Sequence, residues 1–365
     1  MDGLLVVDKP SGPTSHDVVA RVRRALRERR VGHTGTLDPA ATGVLPLVVG
    51  RATRLAQFLS GSDKSYEAVI RFGFSTDTGD AQGRALGIQR AIECPSHGAI
   101  DAALDAFRGE FLQQPPAFSA KKIDGKRSHE LARARARADA RLPASRSSTI
   151  SLPPSLGFTS PGFGAAGSPD LPDPVSVTAF AIEVVSTDGD RVTIRVDCSA
   201  GFYIRSLAHD LGERLGVGGH LVALRRTRSG TLTLADAVAL DAVEREPALA
   251  AARVIPLANM LPGLAPVVLT SDGVRKAIHG RELGPADCVS GFATRDSALA
   301  SRSDSRITTT DSRITTTDSR IPTPESRLPT PESRLYRLLD PSGQLVAIAR
   351  PASAAGLLHP SVVLV

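Results

Sequence analysis

The feature that most constrains this chain is a glycine-rich segment at residues 32–43, GHTGTLDPAATG. Its three glycines permit tight turns and a close approach of the backbone to a ligand, and Pro39 stiffens the chain directly after Asp38. The segment is not a Walker phosphate loop, because the Gly-Lys-Ser/Thr ending is missing. Taken alone, an aspartate before a proline in such a loop is typical of a turn or cap residue.

Helical and strand patterns alternate around this segment. Residues 3–8 and 44–50 form short apolar runs that predict buried strands, and residues 64–74 alternate as a strand does. Between the first two strands, Thr14 or Ser15 can cap a helix with one apolar face. The pattern by itself therefore predicts a protein of mixed α and β elements.

Two segments of low complexity interrupt the chain. Residues 135–172 are rich in Ala, Ser, Pro and Gly and lack periodicity, which predicts a mostly disordered insertion. Residues 289–334 contain four seven-residue repeats with one apolar position each, too few for a coiled coil. Because the composition also becomes loop-like near residue 260, we expect one domain at 1–260 and a smaller one at 261–365.

The formal net charge of +6 and the pI of about 9.6 are compatible with a polyanionic partner. Arginine strongly outnumbers lysine, which suits phosphate binding and base stacking, although a GC-rich genome produces the same bias. Three cysteines without a CxxC pair predict reduced thiols and a cytoplasmic protein. The chain has no secretory signal pattern and no apolar run of membrane-spanning length, so we expect no membrane association.

Several long motifs resemble one family. The strings GLLVVDKPSGPTSHDVV, GHTGTLDPAATGVLPLVVGRATRL and DKSYEAVIRFGFSTDTGDAQG are similar to segments of the bacterial tRNA pseudouridine synthase B (TruB) family. PPAFSAKKIDGKRSHELAR, SAGFYIRSLAHDLG and GGHLVALRRTRSG resemble later segments, in the family's order. The resemblance covers residues 3–134 and 173–232, with a weaker match beyond.

This resemblance implies an α+β protein. It would have a pseudouridine synthase fold, in which helices flank a mixed, largely antiparallel sheet, and a small C-terminal β-rich, PUA-like RNA-binding domain. The implied activity is the isomerisation of uridine to pseudouridine at position 55, in the T loop of tRNA. The N1–C1′ bond breaks and C5 joins C1′ without gain or loss of electrons, so no redox cofactor is expected.

Asp38 matches the family's nucleophile, and such a carboxylate can form a covalent adduct that splits the difficult step in two. Whether it attacks C1′ of the ribose or C6 of the base stays open. Arg205 matches the arginine that would hold Asp38, and Tyr66 matches the tyrosine whose ring would stack on the flipped uracil. Without the resemblance, these two residues would be a surface arginine and a half-buried strand tyrosine.

Three further residues complete the expected substrate site. Tyr203 precedes Arg205 by two positions and would share its face on a strand. Leu224 matches an apolar residue that lines the uracil pocket, and a plain core role is its alternative. His33 matches the residue that enters the gap left by the flipped bases. No second His or Cys stands at metal-binding spacing from His33, so no metal site is expected.

The expected partner is the T-arm of tRNA, whose phosphates could contact the arginines at 21–30 and the basic group at 121–127. Each basic group could equally be a solvated surface. We expect a monomer that needs no guide RNA. Two other classes stay open, namely the catalytic subunit of a guide-RNA particle and a non-catalytic RNA-binding or tRNA-folding protein. The short N-terminus without Lys-rich tails and the intact set of Asp38, Tyr66 and Arg205 favour a stand-alone enzyme.

Overall fold

The computed structural model describes six segments and the backbone of two short strands. The segments are residues 1–87, 89, 91–116, 172–290, 335–354 and 356–364, and the strands lie at 122–123 and 126–127. The segment SHELARAR (residues 128–135), whose pattern predicts a helix, lies outside the described residues, as do nearly all of both predicted insertions. Within the described part of the chain, no helix is both long and apolar enough to cross a membrane.

The chain divides into two compact units, one of residues 5–47 and 56–253, the other of residues 1–4, 48–55 and 254–365. The boundary expected at residue 260 remains a prediction.

Strands and helices alternate up to residue 253. The strands are β1 (Gly3–Lys9), β2 (Val31–His33), β3 (Thr42–Val49), β4 (Lys64–Phe72), β5 (Ser75–Thr76), β6 (Ala85–Leu86), β7 (Gly109–Gln113), β8 (Lys122–Ile123), β9 (Lys126–Arg127), β10 (Val175–Asp188), β11 (Arg191–Cys198), β12 (Gly219–Ser229), β13 (Leu232–Thr233) and β14 (Val238–Ala239). The helices are α1 (Ser15–Leu26), α2 (Ala56–Ser60), α3 (His97–Leu104), α4 (Ile204–Arg214), α5 (Leu240–Arg245) and α6 (Pro247–Ala252). Short 3-10 turns lie at Gly50–Leu55, Asp105–Phe107 and Leu234–Asp236.

The main sheet follows the order β14-β1-β3-β12-β4-β11-β10-β7, with β2 beside β3 and β13 beside β12. β1 pairs with β14 and β3 with β12 in parallel, whereas β12, β4, β11, β10 and β7 are successively antiparallel. The sheet is therefore mixed and largely antiparallel, as predicted.

Helix α1 begins with a capping box, as the sequence indicated. Thr14 accepts a hydrogen bond from the backbone of Asp17, and the Asp17 carboxylate accepts one from the backbone of Thr14. The apolar face of the helix buries Val18, Val19 and Val22. Burial of a valine contributes about 1.5–3 kcal/mol, which anchors α1 and the loop that follows it.

The pairing of β4 with β12 and β11 decides which side chains share a face of the sheet. Tyr66 lies opposite Arg226 on one side and Val196 on the other, and Ala68 lies opposite Leu224. Because side chains alternate along a strand, all five project from the same face.

The C-terminal part of the second unit is rich in strands. Its strands are β15 (Ile255–Pro256), β16 (Ala265–Leu269), β17 (Cys288–Ser290), β18 (Tyr336–Leu339), β19 (Leu345–Pro351) and β20 (Leu358–Val363), with helix α7 (Ser271–Ile278) and 3-10 turns at Leu257–Asn259 and Pro285–Asp287. Five of them form the sheet β17-β16-β18-β19-β20. Val267, Leu269, Leu338, Ala347 and Leu358 are buried together in its core. This β-rich unit agrees with the predicted C-terminal domain.

Gly43 provides a test of how closely β3 and β12 must approach. It pairs in parallel with Arg226 and has a φ of 101°, and a Cβ atom there would overlap the carbonyl oxygen of Arg226. We expect Gly43→Ala to lower the free energy of unfolding by about 2–4 kcal/mol, from backbone strain and overpacking together. Urea unfolding followed by circular dichroism measures this, since the chain has no tryptophan.

Gly98 offers a matched control for this substitution. It lies in helix α3, and a Cβ atom there would meet nothing within 4 Å. Gly98→Ala should leave stability unchanged or raise it by up to about 1 kcal/mol. Equal stability of the two variants would contradict the close packing assigned to Gly43.

Candidate active site

The loop that carries Asp38 runs between strands β2 and β3, and its backbone is held largely by side chains from elsewhere. Ser15, at the start of α1, donates a hydrogen bond from its hydroxyl to the carbonyl of Leu37 (2.9 Å) and accepts one from the Leu37 amide (2.8 Å). The Gly12 amide donates to the carbonyl of Pro39 (2.8 Å). Both backbone groups of the residue before Asp38 are therefore fixed by one buried hydroxyl.

Lys9, at the end of β1, holds the other side of the loop. It is fully buried, and its ammonium donates to the carbonyls of Pro39 (3.0 Å), Ala41 (2.7 Å) and Pro10 (2.9 Å). Burial lowers the pKa of Lys9 to about 8; the negative charge of Asp38 opposes this shift, whereas Arg226 adds to it. Lys9 thus ties the backbone after Asp38 and places a positive charge near it.

Asp38 and Arg205 form the central ion pair. Arg205 Nε lies 3.0 Å from Asp38 Oδ2, and its Nη2 donates to Oδ1 at 3.4 Å. Arg205 Nη1 also donates to the carbonyl of Thr78 (3.2 Å), which anchors the guanidinium. The side chain of Arg205 is 8% exposed and that of Asp38 is 41% exposed. The arginine is therefore a fixed support, while the carboxylate remains accessible to a ligand.

Tyr66 lies on β4, on the face of the sheet that also carries Leu224 and Arg226. Its side chain is buried, and burial raises the pKa of its hydroxyl. The positive charge of Arg226 opposes that rise, and the negative charge of Asp38 adds to it. Tyr66 is thus a protonated phenol at neutral pH, within electrostatic reach of Asp38. Leu224, which pairs with Ala68 two residues beyond Tyr66, is half-buried on the same face.

His33 ends strand β2, just before the loop. Its ring makes an edge-to-face contact with His16 on α1, with centroids 5.1 Å apart. Burial lowers the pKa of His33, and the charges of His16 and Arg226 lower it further. The imidazole is therefore neutral at pH 7, which suits a residue that inserts among stacked bases.

Tyr203 departs from its expected position. It is the N-cap residue of helix α4, so Arg205 lies in the first turn of a helix and the two do not share a strand face. The backbone of Tyr203 is clamped by the side chain of Gln113, which accepts from its amide (2.8 Å) and donates to its carbonyl (3.0 Å). This clamp fixes the start of the helix that presents Arg205.

Arg226 was not singled out from the sequence, although it is 1% exposed. Its guanidinium donates to the carbonyls of Val44 (2.7 Å), Gly35 (3.2 Å) and Thr36 (3.4 Å). The sequence held one signal for it: side chains two positions apart on a strand share a face, so Arg226 lies on the same face as the apolar Leu224. An arginine on the buried face of a strand needs acceptors for its five donors.

Together these residues form an accessible carboxylate on a rigid loop, a fixed guanidinium beside it and a protonated phenol on the adjacent sheet face. This arrangement can carry nucleophilic catalysis, in which the carboxylate attacks a bound group and the surrounding side chains orient it. The structure brings Asp38, Arg205 and Tyr66 together with Leu224 and His33 around one loop. The catalytic and binding roles of all of them remain predictions.

Two family models match this chain. Residues 23–152 match the model described as TruB family pseudouridylate synthase (N terminal domain). Residues 205–261 match the model described as tRNA pseudouridylate synthase B C-terminal domain.

Relatives match over most of the chain. A tRNA pseudouridine synthase B of Solibacter usitatus is 41% identical over 287 residues, 77% of this chain and 86% of that protein. A tRNA pseudouridine synthase B of Thermobifida fusca is 46% identical over 286 residues, 78% of this chain and 87% of that protein.

Solved structures show the fold. One is an H/ACA RNP bound to a substrate RNA containing 2′-deoxyuridine, with a TM-score of 0.59, 22% identity and coverage of 100% of this chain and 85% of that chain. Another is an archaeal box H/ACA sRNP Nop10–Cbf5 complex, with a TM-score of 0.58 and 22% identity, covering 100% of this chain and 86% of that one. The expected pseudouridine synthase fold with a PUA-like C-terminal domain is confirmed. From the family models and the identities to its relatives, the chain belongs to the TruB family of pseudouridylate synthases.

Proposed function

We propose that this chain is an isomerase that converts uridine to pseudouridine in the T loop of tRNA, at position 55, with Asp38 as the nucleophile. The observation that carries the proposal is the ion pair of Asp38 with Arg205, in which the carboxylate is accessible and the arginine is buried. It stands in a chain whose relatives are named tRNA pseudouridine synthase B.

The geometry suits a nucleotide that has been flipped out of the T loop. Extrusion of a base costs a few kcal/mol, which stacking and backbone contacts offset. The ring of Tyr66 provides a stacking surface, and Leu224 extends it with apolar contact on the same sheet face. Neutral His33 fills the gap that the flipped bases leave, and Tyr203 lines the same site at the start of α4.

Asp38 then forms a covalent adduct with the flipped nucleotide. The N1–C1′ bond breaks, the base rotates and C5 bonds to C1′, and the bond to Asp38 breaks before the product leaves. C5 loses its proton and N1 gains one. Arg205 keeps both carboxylate oxygens in one orientation throughout. Positioning is the main contribution of these residues, because the reaction rearranges one nucleotide and adds nothing to it.

The exposed arginines of helix α1 and its C-terminal end suit contacts with phosphates of the T-arm. Arg21 is already paired with Glu244 and Arg30 with Glu28, and Arg23 donates to the carbonyl of Val31. The remaining candidates are Arg24, Arg27 and Arg29. The side chains of the basic group predicted at 121–127 lie outside the described residues.

In this proposal the enzyme works in the cytoplasm as a monomer and needs no guide RNA. Residues 1–260 catalyse the reaction, and residues 261–365 bind RNA. The direct test uses purified protein and a tRNA transcript, with no other RNA or protein present. Mapping should show pseudouridine at position 55 and none in a transcript with cytidine there. Modification only in the presence of a guide RNA would contradict the proposal.

Replacement of the nucleophile should separate catalysis from binding. We expect Asp38→Asn to lower the single-turnover rate of pseudouridine formation by at least about 1000-fold, since an amide cannot form the adduct. The dissociation constant for tRNA should stay within about threefold, because the substitution keeps the shape of the side chain.

Asp197→Asn is the matched control for Asp38→Asn. Asp197 also pairs with an arginine, Arg228 (3.4 Å), and its side chain has the same 41% exposure. Asp197→Asn should leave the single-turnover rate within about threefold of the wild-type value, because an exposed ion pair contributes little. Full activity of Asp38→Asn would exclude Asp38 as the nucleophile.

The pKa of Lys9, lowered to about 8, predicts a decline of the rate at alkaline pH. Below that pH the ammonium supplies three N–H donors to three carbonyls, whereas the neutral amine supplies two and no charge. The single-turnover rate should therefore fall as pH rises through about 8, by about tenfold for one lost charged hydrogen bond.

Lys9→Met removes the titrating group and nearly preserves its length. The single-turnover rate of this variant should already be low at pH 7, and its decline centred near pH 8 should be absent. Circular dichroism confirms that the variant is folded. The same alkaline decline in both proteins would show that another group is responsible.

A further inference from the structure

Arg226 is buried without an acidic partner. Its side chain is among the largest that are fully buried, yet no carboxylate in the described part of the chain lies within ion-pair distance of it. Burial of an unpaired cation is costly, and a Leu or Met would fill the same space without that cost. The charge and the shape of the guanidinium therefore need an explanation beyond packing.

The guanidinium donates its hydrogen bonds to backbone carbonyls around the loop of Asp38. Nη2 donates to Gly35 (3.2 Å) and Nη1 to Thr36 (3.4 Å), three and two residues before Asp38, and Nε donates to Val44 (2.7 Å), just after the loop. A planar guanidinium can hold three carbonyls in fixed directions, whereas an ammonium concentrates its donors at one point. One side chain thus fixes both ends of the loop relative to strand β12.

Arg226 also lies beside Tyr66 on the neighbouring strand. The two residues are directly paired across β12 and β4, so their side chains project from the same face of the sheet. The positive charge of Arg226 lowers the pKa of the Tyr66 hydroxyl, against the larger effect of burial, which raises it. Arg226 also lowers the pKa of His33 and of Lys9 by its charge, after the larger effect of burial in each case.

We infer that Arg226 is a positioning residue for the isomerisation, which holds the loop of Asp38 in place relative to Tyr66, its cross-strand neighbour. The inference rests on the proposed function and adds a residue to it. Gly43 makes the arrangement possible, since its missing side chain lets β3 approach the backbone of Arg226 closely.

Single-turnover kinetics on a tRNA transcript test the inference with Arg226→Gln and Arg226→Lys. Arg226→Gln should lower the rate by about 100-fold, as expected for a displacement of about 1 Å at reacting groups, with the dissociation constant for tRNA within about threefold. Arg226→Lys should lower it by about tenfold, because the charge remains and the fixed directions are lost.

Arg228→Gln is the matched control. Arg228 lies two residues further along β12 and pairs with Asp197 and Ser65 instead of the loop. Its rate and its tRNA affinity should both stay within about threefold of the wild-type values.

A spectroscopic measurement separates positioning from general disorder. The chain has only three tyrosines, so their 13Cζ resonances can be resolved and that of Tyr66 identified with Tyr66→Phe. Arg226→Gln should shift the Tyr66 resonance and leave those of Tyr203 and Tyr336 in place. In the Tyr66→Phe background, Arg226→Lys should lower the rate by a smaller factor than it does alone, because the two residues are direct cross-strand neighbours.

The inference fails if Arg226→Gln keeps the rate within about threefold. It also fails if the rate, the tRNA affinity and all three resonances change together, or if neither variant folds, because Arg226 would then serve the fold alone. A wild-type protein that forms no pseudouridine would refute the proposed function instead, and the Tyr66 resonance would still test the contact with Arg226.

Discussion

The site depends on which groups donate hydrogen bonds to the backbone carbonyls of the loop that carries Asp38. A loop between two strands cannot use the sheet's own hydrogen bonds, and each buried carbonyl without a donor costs free energy. In this protein Lys9 and Arg226 supply the donors, the first to Pro39 and Ala41 and the second to Gly35 and Thr36. The two cations approach from different strands, so the loop cannot shift without breaking contacts on both sides.

This solution also sets the electrostatics of the site. Two buried cations beside the loop favour a negative charge there, and Asp38 is the carboxylate that the loop presents. The positive charge of Arg226 contributes to the lowered pKa of Lys9. Neutral His33 and protonated Tyr66 add polar groups without further charge. The result is a site with one accessible carboxylate and several fixed donors around it, which suits a reaction governed by positioning.

The ion pair of Asp38 with Arg205 joins residues 167 positions apart in the chain. Helix α4 presents Arg205 from its first turn, and the clamp between Gln113 and the backbone of Tyr203 fixes where that helix begins. An ion pair between two exposed side chains would contribute little and would sample many geometries. Here Arg205 is buried and anchored, and it gives the Asp38 carboxylate a defined direction while that carboxylate remains accessible.

By itself, the sequence determined the local elements and the residue types. Short-range patterns predict three features that the structure reproduces: the cap at Thr14, the buried strand β3 and the alternating strand β4. The motifs around Asp38, Tyr66 and Arg205 placed the chain in its family. Tertiary structure alone decided that Arg205 lies on a helix beyond Tyr203, and that Arg226 faces the loop. The first outcome depends on the contact of Gln113 with the backbone of Tyr203, and the second depends on which strands lie beside β12. Both are contacts between residues far apart in the chain, which local periodicity does not encode.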